Sequence, residues 1–204
     1  NRSSGKQGTA IAVEAAARGA KVTLVSTVPA AVPPGVDVVR VESAAEMQAA
    51  VEARYDDADI VVMAAAVADF RPVRAADHKI KKENGVPEVV LERTPDILAG
   101  LGQRKRPDQV LVGFAAETTD LRANAAAKLA RKGADLIVAN DVSQPQVGFE
   151  HDTNAVVIIG ADGAEVEVPL SDKRQVAVAV LDAALRVRSA AVRRSPGTQQ
   201  PGTE

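Results

Sequence analysis

Cysteine and tryptophan are absent from this 204-residue sequence. Without cysteine there are no disulfides, no thiolate metal ligands and no thiol nucleophile. Aromatics are only 2%, with one Tyr and three Phe. The hydrophobic share of 46% is ample for a core but consists mostly of Ala and Val, so helices must pack closely on small side chains. A charge excess of either sign is also lacking: 25 basic and 27 acidic residues leave a net charge of −2. No global field therefore favours nucleic acid or an anionic membrane. No apolar run is long enough to span a bilayer, and no signal peptide is visible. These absences lead us to expect a protein of the reducing cytoplasm. The length fits one domain, residues 1–188, followed by a polar tail, 189–204, with the composition of a disordered segment.

What is present alternates. Apolar strand patterns at Val22–Ser26, Val36–Val41, Ile60–Ala65, Val110–Phe114, Leu136–Ala139 and Ala155–Ile159 are interleaved with helical patterns. The helices are expected at Thr9–Arg18, Ala44–Tyr55, Pro95–Gln103, Leu121–Lys132 and Asp172–Arg188. Near-continuous apolar strands suit a parallel sheet buried on both faces. The alternation predicts an α/β fold, Rossmann-like and doubly wound, with a mainly parallel sheet. Ala155–Ile159, Asp162-Gly163 and Glu165–Val168 read as an antiparallel edge hairpin. Residues 71–94 break the rhythm and read as an inserted flap with its own short strand, Glu88–Leu91.

The polar clusters fall at strand ends, where open α/β sheets bind ligands. Asn1-Arg2-Ser3-Ser4-Gly5-Lys6-Gln7-Gly8 is a glycine-punctuated loop opening a helix, a natural anion site. It reads equally as a helix entry capped by Ser. Because it opens the sequence, the strand that should feed it is expected to lie outside, as in a domain cut from a longer protein. Ala64-Ala65-Ala66-Val67-Ala68-Asp69-Phe70 offers close backbone approach for a flat ring, with Asp69 to hold a ribose or base amine or simply to cap. Lys79-Ile80-Lys81-Lys82 suits a polyphosphate or a solvated patch. Thr94-Pro95-Asp96-Ile97-Leu98 has ordinary helix-start chemistry, and its carboxylate also suits a divalent ion. Gly113-Phe114-Ala115-Ala116-Glu117 places a phenylalanine where a base can stack. Lys128 and Lys132 share a helix face, with no acid four residues before either. Asn140 ends a strand. His78 and His151 lie in loops without a catalytic setting.

In order along the chain, these segments resemble the phosphopantothenoylcysteine synthetase family, the ligase half of bifunctional bacterial coenzyme A biosynthesis proteins. The matching runs extend from Asn1–Gly8 through Ala139-Asn140-Asp141-Val142-Ser143-Gln144 to Phe149–Asn154. The resemblance covers roughly residues 1–185. It implies a CTP-dependent ligase that activates the 4′-phosphopantothenate carboxylate as an acyl-cytidylate, which cysteine then attacks. It implies catalytic roles for Asn1 and Lys79. CTP contacts would come from Ser3, Gly5, Lys6, Ala64, Ala65, Asp69, Lys79, Pro95, Asp96, Ile97, Leu98, Phe114, Lys128 and Lys132. Substrate contacts would come from Asn1, Ala66 and Asn140, and Mg²⁺ would sit at Asp96. It also implies a homodimer and, in the parent protein, a flavin-dependent decarboxylase half. That half is absent here, so no FMN is expected. Phe70 stands where some relatives have tyrosine. Two other readings remain: a CTP-binding domain without catalysis, and an NAD(P)-dependent oxidoreductase. The second lacks the G-x-G-x-x-G fingerprint and an acid at the end of the Val22–Ser26 strand, where Ser26 and Thr27 stand instead.

Overall fold

The computed structural model describes residues 4–74, 88–117, 119–141 and 153–194. A helix, α1 (Lys6–Ala17), leads into two short parallel strands, β1 (Thr23–Ser26) and β2 (Asp37–Arg40). Helix α2 (Ala44–Tyr55) connects them to β3 (Ile60–Met63). A small antiparallel ribbon, β4 (Phe70–Pro72) with β5 (Leu91–Arg93), precedes α3 (Ile97–Gln103). The chain continues through β6 (Val110–Glu117), α4 (Leu121–Lys132), β7 (Leu136–Asp141), β8 (Thr153–Gly160) and β9 (Glu165–Asp172) to α5 (Lys173–Arg194).

Five strands form one sheet in the order β3-β6-β7-β8-β9. The first three are parallel, and β8 and β9 add the antiparallel hairpin. The hairpin turns at Gly163, whose φ of 81° suits a residue without Cβ. The mainly parallel α/β sheet with its edge hairpin is thus as expected.

The sheet is covered on both faces, and β6 shows why. Val110 and Val112 point into a cluster with Ile11 of α1 and Val176, Val180 and Ala184 of α5. The alternate residues Leu111 and Ala115 point into a second cluster with Met47 and Tyr55 of α2, Leu98 and Leu101 of α3 and Ala125 of α4. The single tyrosine is spent here: Tyr55 is fully buried, and its hydroxyl donates to the carbonyl of Leu101 at 2.8 Å, tying α2 to α3.

Small residues set the close approaches. A Cβ on Gly113 would lie 2.6 Å from Leu98 and 2.9 Å from Ile137, so glycine lets α3 sit directly on the sheet. The N-terminus of α1 stands between two strand ends: Gly5 touches Val28 after β1, and Gly8 faces Ala64 after β3.

Three details differ from the sequence reading. The N-cap of α1 is Gly5 in the left-handed region, not a serine. The flap's strand is Leu91–Arg93 and pairs with Phe70–Pro72, whose strand character was not foreseen. Helix α5 continues to Arg194 rather than ending at Arg188, because Ser189-Ala-Ala-Val-Arg-Arg contains no breaker before Pro196. Among the described residues no helix is long and apolar enough to cross a membrane.

Candidate active site

A cavity of about 440 Å³ opens beyond the ends of β3 and β6. One wall is the end of β3 and the segment after it, with Met63, Ala65, Val67, Ala68, Asp69 and Phe70. The facing wall is the turn into α3, with Arg93, Thr94, Pro95, Asp96, Ile97 and Leu98. Phe114, Lys128 and Lys132 complete it. The two walls are stitched together by backbone and side chain: the Thr94 amide donates to the Asp69 carbonyl at 2.9 Å, and the Thr94 hydroxyl donates to the Ala68 carbonyl.

The alanine run after β3 lies between the cavity and the first turn of α1. Ala65 and Val67 face the cavity, whereas Ala64 faces Gly8 in the first turn of α1. Gly5 has φ 70°, and a Cβ there would clash with Val28. Glycine thus lets the turn enter the helix beside β1, with the helix's first amides and its dipole at one spot.

Lys128 is the most informative side chain. It is half-buried, and its ammonium donates to the carbonyl of Phe114 at 2.9 Å. Burial pushes its pKa below the usual lysine value; the charges of Glu117 and Asp69 pull it up and Arg131 pushes it further down. A charged amine held in a cavity wall by a neutral acceptor is poised to gain from an arriving anion.

Lys132, one turn further along α4, is ion-paired with Asp96. Asp96 has two tasks. One oxygen accepts from the Ala99 amide at 3.1 Å and caps α3, and the other takes Lys132. Each oxygen already has a protein partner, so a metal ion at Asp96 would have to share or displace the Lys132 ammonium. Among the described residues no group of three or more His, Asp or Glu is placed to hold a metal ion.

The cavity therefore brings together Ala65, Asp69, Pro95, Asp96, Ile97, Leu98, Phe114, Lys128 and Lys132 from the residues singled out in the sequence. Gly5, Lys6 and Ala64 lie at the start of α1 and beside it. Ala66 and Asn140 are not among the cavity's lining residues; Asn140 is buried in β7, with its side-chain oxygen unpartnered among the described residues. Asn1, Ser3 and Lys79 lie outside the described residues. Phe114 differs from the expectation of an open stacking ring. It is half-buried and packs against the core cluster on the α1/α5 side, so only its outer side is left for a base. Arg93 and Met63 line the cavity without having been foreseen. The position of Arg93 directly before the Thr94-Pro95-Asp96 turn was the available signal.

A doubly wound sheet with a charged cavity at its strand ends defines the class: an α/β domain of the kind that places its ligand site at the crest of the sheet. Comparisons with known proteins give the family. The model of the "DNA/pantothenate metabolism flavoprotein C-terminal domain" family matches residues 1–187. The coenzyme A biosynthesis bifunctional protein CoaBC of Bacillus subtilis (strain 168) is 48% identical over 183 residues, covering 89% of this chain and 45% of that protein. The crystal structure of the C-terminal domain of CoaBC superposes with a TM-score of 0.76 at 41% identity, covering 93% of this chain and 86% of that one. A structure of a Cab2 mutant in complex with phosphopantothenate-cysteine shares the fold, with a TM-score of 0.75 at 15% identity, covering 96% of this chain and 81% of that one. The chain belongs to the DNA/pantothenate metabolism flavoprotein C-terminal domain family, and it spans about half the length of the curated relatives it matches.

Proposed function

We propose that this domain is a phosphopantothenate–cysteine ligase of coenzyme A biosynthesis that uses CTP. The observation that carries the reading is the cavity: two lysines from one helix face, a carboxylate opposite and an alanine-lined backbone wall, all at the strand ends. This arrangement suits a nucleoside triphosphate, with the lysines for phosphates, Asp69 for a ribose hydroxyl or base amine, and the backbone at Ala65 and Ala68 for close approach of the ring or sugar.

The chemistry needs no protein nucleophile, because the substrate carboxylate already is one. A carboxylate oxygen of 4′-phosphopantothenate attacks the α-phosphorus of CTP. The bond from that phosphorus to the bridging oxygen breaks, and pyrophosphate leaves. The amine of cysteine then attacks the acyl carbon, the carbon–oxygen bond to the nucleotide breaks, CMP departs and the amine loses a proton. The protein's contribution is positioning and charge neutralisation. Lys128 and Lys132 meet charge on the phosphates. The first turn of α1, with Gly5 and Lys6, offers a second anion position. By the resemblance, Asn1 donates to the pantothenoyl carbonyl, Lys79 and Ser3 join the nucleotide contacts, and Ala66 and Asn140 meet the pantothenate arm. Mg²⁺ is assigned here to the triphosphate itself, held by phosphate oxygens and water. A soluble cytoplasmic location goes with this reading.

The test is pyrophosphate release from CTP with Mg²⁺ and 4′-phosphopantothenate, against ATP. Release that requires both CTP and phosphopantothenate is expected; its absence, with CTP still raising the melting temperature, would leave a binding domain only.

A homodimer is the second part of the proposal. The β4–β5 ribbon exposes Phe70, Val73, Val89, Val90 and Leu91, an apolar run suited to cover by a second copy. Sedimentation velocity is expected to show a dimer that Val90→Lys with Leu91→Lys converts to a monomer. A monomeric wild-type chain at micromolar concentration would count against it.

A further inference from the structure

We propose that Asp96 is a built-in stand-in for phosphate: its carboxylate holds Lys132 while the cavity is empty and yields it to an arriving polyphosphate. The inference rests on reading the cavity as a triphosphate site.

Lys132 occupies the last turn of α4, where its ammonium would ordinarily favour the nearby carbonyls at that helix end. Instead it reaches the start of α3. The backbone fixes this route. A Cβ on Gly102, near the end of α3, would collide with the Lys132 carbonyl, so the two helices touch there. From that contact the Lys132 ammonium pairs with Asp96 at the opposite end of the seven-residue α3. The lysine side chain is only 13% exposed, while the Asp96 side chain is 47% exposed. The cation is therefore sheltered in the wall and its counter-ion faces the opening. Asp96 is held independently of the lysine, because its other oxygen caps α3 through the Ala99 amide.

The two lysines of the cavity are thus in different states. Lys128 has a neutral carbonyl for company; Lys132 has a full negative charge. An incoming monoanion gains little at Lys132, since it must displace a carboxylate tethered at high local concentration. A polyphosphate carries enough charge to engage Lys128 first and then compete for Lys132. Asp96 therefore acts as a positioning and selectivity residue, favouring polyphosphates over small monoanions, and not as a metal ligand.

Asp96→Asn is a clean probe, because Asn caps a helix as well as Asp does while carrying no charge. Titration calorimetry with sodium tripolyphosphate, without divalent metal, is the measurement. Asp96→Asn is expected to bind tripolyphosphate about three- to tenfold more tightly than the wild type. The gain for inorganic phosphate should be at least as large, and Lys132→Gln should abolish both gains. Unchanged or weaker metal-free binding in Asp96→Asn would overturn the proposal. So would a loss seen only with Mg²⁺ present, which is the signature of a metal ligand, or the absence of tripolyphosphate binding to either protein. Wild-type pyrophosphate release from CTP reports separately on the ligase reading. Tighter tripolyphosphate binding by Asp96→Asn without wild-type turnover would retain the stand-in and discard the ligase; turnover without tighter binding would do the reverse.

Discussion

Lys128→Gln is expected to lower kcat/KM for CTP by about 100-fold, the scale of losing one pre-placed electrostatic donor. The amide of Gln can still reach toward the Phe114 carbonyl, so the fold should survive and the melting temperature should change little. The lost quantity is a half-buried positive charge at the cavity wall. The same charge predicts a pH signature. Burial lowers the folded-state pKa of Lys128, so in the free protein the ammonium loses its proton below the usual lysine value of about 10.4. Anion binding favours the protonated form. Tripolyphosphate affinity should therefore fall, relative to that of Lys128→Gln at the same pH, as pH rises toward that value. A wild-type rate that survives the substitution would remove Lys128 from the site. The linkage to stability has the opposite sense: the unfolded chain holds this proton to higher pH than the folded one. Lys128 therefore costs stability at neutral pH, and stability recovers as pH rises between its folded and unfolded pKa values.

Gly102→Ala is expected to cost about 3 kcal/mol of stability, which corresponds to roughly 6–12 °C in melting temperature for a domain of this size. The added methyl would meet the backbone carbonyl of Lys132 and, just beyond it, the backbone of Gly133. Neither group can turn away as a side chain can, so α3 or the end of α4 must shift. Because Asp96 heads α3 and Lys132 ends α4, the same shift should disturb the cavity and lower CTP use beyond the effect of unfolding. Gly100→Ala in the same helix supplies the control. A Cβ there meets nothing within 4 Å, so it should be neutral or stabilise by up to about 1 kcal/mol. Equal effects of the two substitutions, by calorimetric melting, would mean that the α3–α4 contact does not set the geometry.

The contrast between these glycines shows what one chain of letters reveals and what it hides. The bounds of α2 and α4 follow directly from periodicity: Ser43 caps α2 through the Glu46 amide, and Gly133 in the left-handed region ends α4. The β8–β9 hairpin announces itself through Asp162-Gly163. Local chemistry decides all of these. Gly100 and Gly102 look alike in sequence, because what separates them is the approach of a helix some thirty residues away. The Lys132–Asp96 pair was hidden for the same reason: a search one helical turn back finds no acid, and the partner stands on another helix. Phe114 illustrates a subtler limit. Its place at a strand end suggested an open ring, but the face of the strand on which it falls is the face covered by α1 and α5. The ribbon partner Phe70–Pro72 is three residues long and includes a proline, so no pattern marks it before its pairing with Leu91–Arg93 is seen. Most of the cavity residues were legible, because they lie at the ends of elements that periodicity locates well; Met63 and Arg93 were not.

The most direct measurement mixes the protein with CTP, Mg²⁺ and 4′-phosphopantothenate in the absence of cysteine and follows the products by mass spectrometry. The account predicts a phosphopantothenoyl-cytidylate formed in step with pyrophosphate, then converted to phosphopantothenoylcysteine and CMP when cysteine is added. Intact CTP alongside unchanged phosphopantothenate, in a protein that melts cooperatively, would contradict it.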